Sequence, residues 1–184
     1  MGKIVIKLEE GDKLAGIERT NGEDEIILAT ARGMVVRFSE KQIRKMGRNT
    51  YGNIGIRFKE KTDRVIGMVV RDKDTALLTI YDNGFGRRSS FDEYRLYCHR
   101  GGKGVKNISP LAKQVQTIGV LSIKDDDEVL LATKLGYVIR IPAKQIRQIG
   151  RRTKGVKLAT LHQNDRLISA AKVPHLNDKN NQRA

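Results

Sequence analysis

The sequence predicts an all-β protein of propeller-like blades, about three and a half repeats of roughly 51 residues, each of four antiparallel strands. Three observations predict it. The first is an ungapped self-match: Glu25-Ile26-Ile27-Leu28-Ala29-Thr30 lies over Glu128-Val129-Leu130-Leu131-Ala132-Thr133, and the match runs on through Lys41-Gln42-Ile43-Arg44 over Lys144-Gln145-Ile146-Arg147. The second is a middle copy, in which Leu77-Leu78-Thr79-Ile80-Tyr81-Asp82-Asn83-Gly84 repeats the same opening. The third is the pattern inside each copy: short, β-branched apolar segments cut by glycine turns.

The elements follow in order. Residues 1–22 read as half a blade, because Lys13-Leu14-Ala15-Gly16-Ile17 recurs as Arg64-Val65-Ile66-Gly67-Met68, Gln116-Thr117-Ile118-Gly119-Val120 and Arg166-Leu167-Ile168-Ser169-Ala170. Three blades follow at 23–73, 74–125 and 126–173, completing a single domain over 1–173. In the first blade strands are expected at 25–29, 34–38, 54–58 and 65–70. Gly33, Gly84 and Gly136 each close the first hairpin and supply its positive φ. The stretch 39–46 mixes Ile43 and Met46 with basic residues and reads as a loop or one helical turn. The acidic run 124–127 reads as a turn between blades, and the polar tail 174–184 as disordered.

The chain has 184 residues, with 36 Lys and Arg against 21 Asp and Glu, a formal charge of +15. Trp is absent, so Val, Ile and Leu must fill the core. No apolar run approaches the roughly 20 residues of a membrane span, and the N-terminus lacks a secretory h-region. A single Cys98 excludes an internal disulfide framework and a multi-cysteine zinc site. The composition describes a soluble, cytoplasmic protein with a polyanionic partner.

A pattern Gly-Arg-x-Thr-x-Gly occurs at 47–52 and 150–155, with Arg100-Gly101-Gly102-Lys103-Gly104 as its middle counterpart. Gly52, Gly104 and Gly155 share one repeat position, as do Arg48, Arg100 and Arg151. Taken singly, each copy is a glycine turn with a solvated arginine. Three in-register copies with cationic neighbours favour a binding surface, because a repeat sets equivalent loops on one rim. The candidates are Lys41, Arg44, Lys45 and Arg48; then Arg87, Arg88, Arg95, Arg100, Lys103 and Lys106; then Lys144, Arg147, Arg151, Arg152, Lys154 and Lys157. Such a band is the electrostatic footprint of nucleic-acid binding, and glycine turns can also offer N–H groups to phosphate.

Catalytic readings lack support. Gly102-Lys103 is followed by Gly104, where a phosphate-binding loop needs Ser or Thr. His99, His162 and His175 have no metal-ligand spacing, and no nucleophile elbow is present. Neither a metal nor a cofactor is expected.

These residues resemble the C-terminal domain of the A subunit of bacterial DNA gyrase, with the similar domain of topoisomerase IV as its relative. The resemblance runs from Gly2 to Val173 and is closest to the last half of that domain, the end of its third blade and blades four to six. It implies a β-pinwheel, with duplex DNA wrapped on a basic rim and presented to the gyrase catalytic core. That core is formed by the B subunit together with the rest of the A subunit, whose joint action introduces negative supercoils. The family's box, Gln-Arg-Arg-Gly-Gly-Lys-Gly, is matched only over its last five positions, Arg100 to Gly104, and in a later blade. The motif is therefore box-like.

The expected function is sequence-tolerant DNA binding and wrapping by a chain that is not itself an enzyme. A stand-alone nucleoid protein, or membership of the topoisomerase IV branch, are the alternatives. A protein-binding propeller is disfavoured by the charge. Three and a half blades are fewer than the ring the family closes, so self-association or a longer parent chain would complete it.

Overall fold

A computed structural model describes residues 5–107 and 115–174. The expected tail lies outside the described residues, except for Pro174. Three meanders follow the three repeats. The first comprises β1 (Glu25–Thr30), β2 (Met34–Ser39) and β3 (Val65–Val70). The second comprises β4 (Ala76–Tyr81), β5 (Phe85–Ser90) and, after the short β6 (Leu96–Tyr97) and β7 (Val105–Lys106), β8 (Thr117–Ile123). The third comprises β9 (Glu128–Thr133), β10 (Val138–Pro142) and, after β11 (Val156–Lys157), β12 (Leu167–Val173). In each meander the opening strand is central, flanked by its hairpin partner and by the closing strand. All these pairings are antiparallel. The register breaks at one shared place, beside Thr30, Tyr81 and Thr133, where a bulge bends the closing strand.

The fourth strand departs from expectation. Residues 54–58 form only a single bridge, Ile56 with Gly102. The equivalent segments of the later repeats are strands, but each joins the sheet of the preceding repeat. β7 pairs with β2 through Met34↔Lys106 and Val35↔Val105, and β11 pairs with β5 through Phe85↔Lys157 and Gly86↔Val156. β6 adds a parallel pair on β2. A blade is thus three strands of one repeat closed by a strand from the next. Sequence periodicity marks such a strand without saying which sheet edge it covers. Among the described residues nothing covers the outer edge of β10, and that strand is half exposed where β2 is buried. The described residues of the expected half blade, 5–22, contain no strand.

The core lies largely between blades. Ile27, Val35, Leu77, Phe91 and Val120 pack the first blade on the second. Leu78, Ile123, Val129, Leu131, Ile146 and Leu167 pack the second on the third. The 39–46 stretch makes one 3-10 turn, Glu40–Gln42, repeated at Phe91–Glu93 and Ala143–Gln145. The 124–127 turn forms as expected, with the Lys124 amide donating to Asp127 Oδ2 at 2.7 Å.

Candidate nucleic-acid interface

The second and third candidate loops each start at the 3-10 turn after the second strand and end at the exchanged strand, so each must cross from its own blade to the preceding one. The glycine at the crossing permits this. Gly104 and Gly155 have φ of 70° and 95°. A Cβ on Gly155 would lie 2.6 Å from the Gly86 carbonyl oxygen, and one on Gly104 would lie closer still to that of Val35. Any side chain there would push the donated strand off its partner.

The arginines of the motif fasten the same crossing. Arg100 donates through Nε to the Gln42 carbonyl at 3.0 Å and through Nη1 to the Ile54 carbonyl at 3.1 Å. Arg151 repeats this one blade on, to the carbonyls of Glu93 at 3.2 Å and Lys106 at 2.6 Å. Among the described residues Arg48 makes no such bond. The motif threonines close the turn itself, Thr50 Oγ1 to Gly47 O and Thr153 Oγ1 to Gly150 O, both at 2.8 Å. Arg100 and Arg151, expected among the DNA contacts, are both half-buried staples between repeats.

Arg87 and Arg88 also leave the rim. Arg87 is fully buried, and donates to the Thr153 carbonyl at 2.8 Å and to the backbone and side-chain oxygens of Asn107. Arg88 is buried at the blade joint, paired with Asp125 and reaching the Ala143 carbonyl at 3.3 Å. Both lie in a strand that is covered on its two faces, although their sequence neighbours are polar. Arg37, which was not a candidate, is the first-repeat twin of Arg88. It pairs with Glu25 and donates to the carbonyls of Phe91 at 2.8 Å and Tyr94 at 3.0 Å. The third twin, Arg140, is exposed and pairs with Glu128. The recurrence of arginine at 37, 88 and 140 was a legible signal of this role.

The remaining candidates are exposed: Lys41, Arg44, Lys45 and Arg48 on the first loop, Arg95, Lys103 and Lys106 on the second, and Lys144, Arg147, Arg152, Lys154 and Lys157 on the third. Lys41 pairs with Glu23. The second and third loops are each stitched to the preceding repeat. The Gly101 amide donates to Gly55 O at 2.8 Å, Arg57 N to Gly102 O at 3.0 Å and Ile149 N to Arg88 O at 2.9 Å. The acidic turn Asp125–Asp126 borders Lys144 and Arg147 and limits the band on that side. The amides of Gly101, Arg151 and Thr153 are already bonded within the protein and are not free to meet an anion. A duplex laid across the band would meet lysine and arginine heads from successive loops, the arrangement of a contact to phosphate backbone.

Comparison with known proteins fits this geometry. The family described as DNA gyrase C-terminal domain, beta-propeller, matches residues 1–21, 24–71, 77–129 and 127–174, one stretch per repeat. The chain is similar to the DNA gyrase A subunit of Mycolicibacterium smegmatis, with 41% identity over 173 residues, 93% of this chain and 20% of that protein. It is 37% identical to the DNA gyrase A subunit of Escherichia coli K12 over 172 residues, 94% of this chain and 19% of that protein. The chain therefore spans about a fifth of the length of these relatives. A solved DNA gyrase A C-terminal domain superposes with a TM-score of 0.83 at 25% identity, covering 93% of this chain and 58% of the other. The C-terminal domain of DNA topoisomerase IV shares the fold, with a TM-score of 0.85 at 23% identity, covering 92% and 52%.

Proposed function

Because the chain belongs to the DNA gyrase C-terminal β-propeller family, we propose that it binds and wraps duplex DNA for the catalytic core of a type II topoisomerase. The observation that carries this reading is the set of exposed Lys and Arg on three repeat-equivalent loops, the second and third of which are tied by hydrogen bonds to the preceding repeat. The chain contributes no chemistry to strand passage: its part is to bind DNA and set its path. Duplex is held through phosphates with little sequence preference, since the exposed candidates are lysine and arginine side chains spread over three loops. Bending a 20–30 bp site by 40–90° costs on the order of 1–6 kcal/mol. Several charge-assisted contacts of about 1.5–3 kcal/mol each offset it. The partners are double-stranded DNA and the remainder of the gyrase A and B subunits, and the setting is the bacterial cytoplasm. Among the described residues no helix is long and apolar enough to cross a membrane.

The test is topological. Relaxed plasmid is saturated with the protein, relaxed again by a type I topoisomerase and stripped. Wrapping of the family's hand leaves a positive linking difference that grows with protein, without cleavage or ATP use. An unchanged linking number at saturation refutes wrapping, and binding that is insensitive to salt refutes phosphate contact.

A further inference from the structure

Repeat equivalence exposes one place where the middle blade differs from its neighbours. In the first repeat Leu28, Val36, Phe38, Ile43 and Gly55 occupy five positions, and in the third Leu131, Ile139, Ile141, Ile146 and Leu158 do. The strand registers confirm the correspondence: Leu28↔Val36, Thr79↔Arg87, Leu131↔Ile139. In the middle repeat the same five positions are Thr79, Arg87, Ser89, Tyr94 and Asn107, and every one is buried.

They form one network. Asn107 Nδ2 donates to Thr79 Oγ1 at 2.7 Å, and its Oδ1 accepts from Tyr94 Oη at 2.6 Å and from Arg87 Nη2 at 2.7 Å. Ser89 Oγ meets Tyr94 Oη at 2.8 Å. The Asn107 amide donates to Gly33 O at 2.7 Å, and Tyr81 Oη donates to the Asn107 carbonyl at 2.9 Å. Arg87 carries no acidic partner among the described residues: its charge is met by carbonyl and amide oxygens, among them Thr153 O of the last motif. A charge buried on these terms is not favoured as a source of stability, since well-packed apolar residues serve as well or better. Its distinguishing effect is geometric. Asn107 directly follows β7, the strand after the box-like loop, and Thr153 lies within the third loop, so one rigid guanidinium fork holds both.

We propose that the Arg87–Asn107 network is a positioning device that fixes the box-like loop and the third-repeat motif relative to each other, so that their cations meet a single bent DNA path. The functional half of this rests on the DNA-wrapping reading. Arg87 and Asn107 are positioning residues that never touch DNA.

The test transplants the third-repeat core into the middle blade as T79L/R87I/S89I/Y94I/N107L. This variant is expected to fold and to melt no lower than the wild type. Exchange of backbone amides in residues 101–107 and 150–155, measured on the free protein, is expected to accelerate about tenfold or more. Affinity for a duplex of about 20 bp should stay within about threefold, because the phosphate-facing cations remain. The plasmid linking difference per bound chain should be largely lost, a split that a merely structural role does not produce. Unchanged exchange in the folded variant overturns the proposal, and so does faster exchange with an undiminished linking difference. If the fivefold variant fails to fold, Arg87→Lys decides by the same measurements, since an ammonium keeps the charge without the planar fork. If the wild type itself gives no linking difference, the wrapping reading falls, and the exchange measurement alone decides the positioning claim.

Discussion

Substituting Gly155 by alanine separates close approach from backbone conformation, because Gly52 provides an internal control. Both residues have positive φ, 95° and 85°. Around Gly52 the nearest atom to a Cβ would be Ile6 Cδ1 at 3.7 Å, an ordinary contact, whereas at Gly155 it would be the Gly86 carbonyl oxygen at 2.6 Å. Each alanine incurs the left-handed penalty of about 1–2 kcal/mol. Only Gly155→Ala must also move β11 away from β5, disturbing Val156↔Gly86 and Lys157↔Phe85. Overpacking of this kind adds about 1–3 kcal/mol. Gly155→Ala is therefore expected to cost about 2–5 kcal/mol in total, and Gly52→Ala about 1–2 kcal/mol. At roughly 2–4 °C per kcal/mol for a chain of this size, the two variants should melt visibly apart. Urea titration followed by far-ultraviolet circular dichroism measures both. Equal losses would refute the claim that the strand crossing needs glycine for its space. Gly104→Ala, whose Cβ would press on the Val35 carbonyl, repeats the experiment at the other joint.

Other outcomes follow from the same geometry. Arg88→Ala should destabilise by roughly 1–3 kcal/mol, because it removes a buried guanidinium from Asp125 and Ala143 O. Its exposed twin Arg140→Ala should leave the melting temperature unchanged, and the same loss in both would refute the joint role. Replacing Arg44, Lys103 and Arg147 together by alanine should lower the slope of log affinity against log salt by up to about three units, with the melt unaltered. A fluorescence titration showing no change of slope would remove these side chains from the interface. Burial pushes the Tyr81 phenol up to about 12, with Arg87 opposing the shift. A phenol raised in the folded state contributes stability that is complete below the ordinary value of about 10 and is lost as pH rises towards 12. The urea midpoint should fall across that window, and Tyr81→Phe should flatten the fall.

The repeat, the β class, the hairpin glycines and the basic loops were all written in the sequence, because strand periodicity, turn chemistry and charge are local properties. A pattern such as Gly150-Arg151-Arg152-Thr153-Lys154-Gly155 announces a shared loop wherever it recurs. Burial and partnership are not local, and here the structure rearranged the site. Arg48, Arg100 and Arg151 are indistinguishable in the repeat, yet the last two are bound by carbonyls of a preceding blade 45–58 residues away. Arg87 and Arg88 look like surface charge beside Ser89 and Ser90, until the next repeat's strand and 3-10 turn cover them. The sequence alone determined that each repeat carries a fourth extended segment and a cationic loop. Only the tertiary structure decided that the strand closes the neighbouring blade, and with it which arginines fasten the joints and which face outward. The physical reason is that a strand edge is satisfied by backbone hydrogen bonds, which any extended segment supplies, so its partner is fixed by how the blades pack and not by the residues of the strand itself.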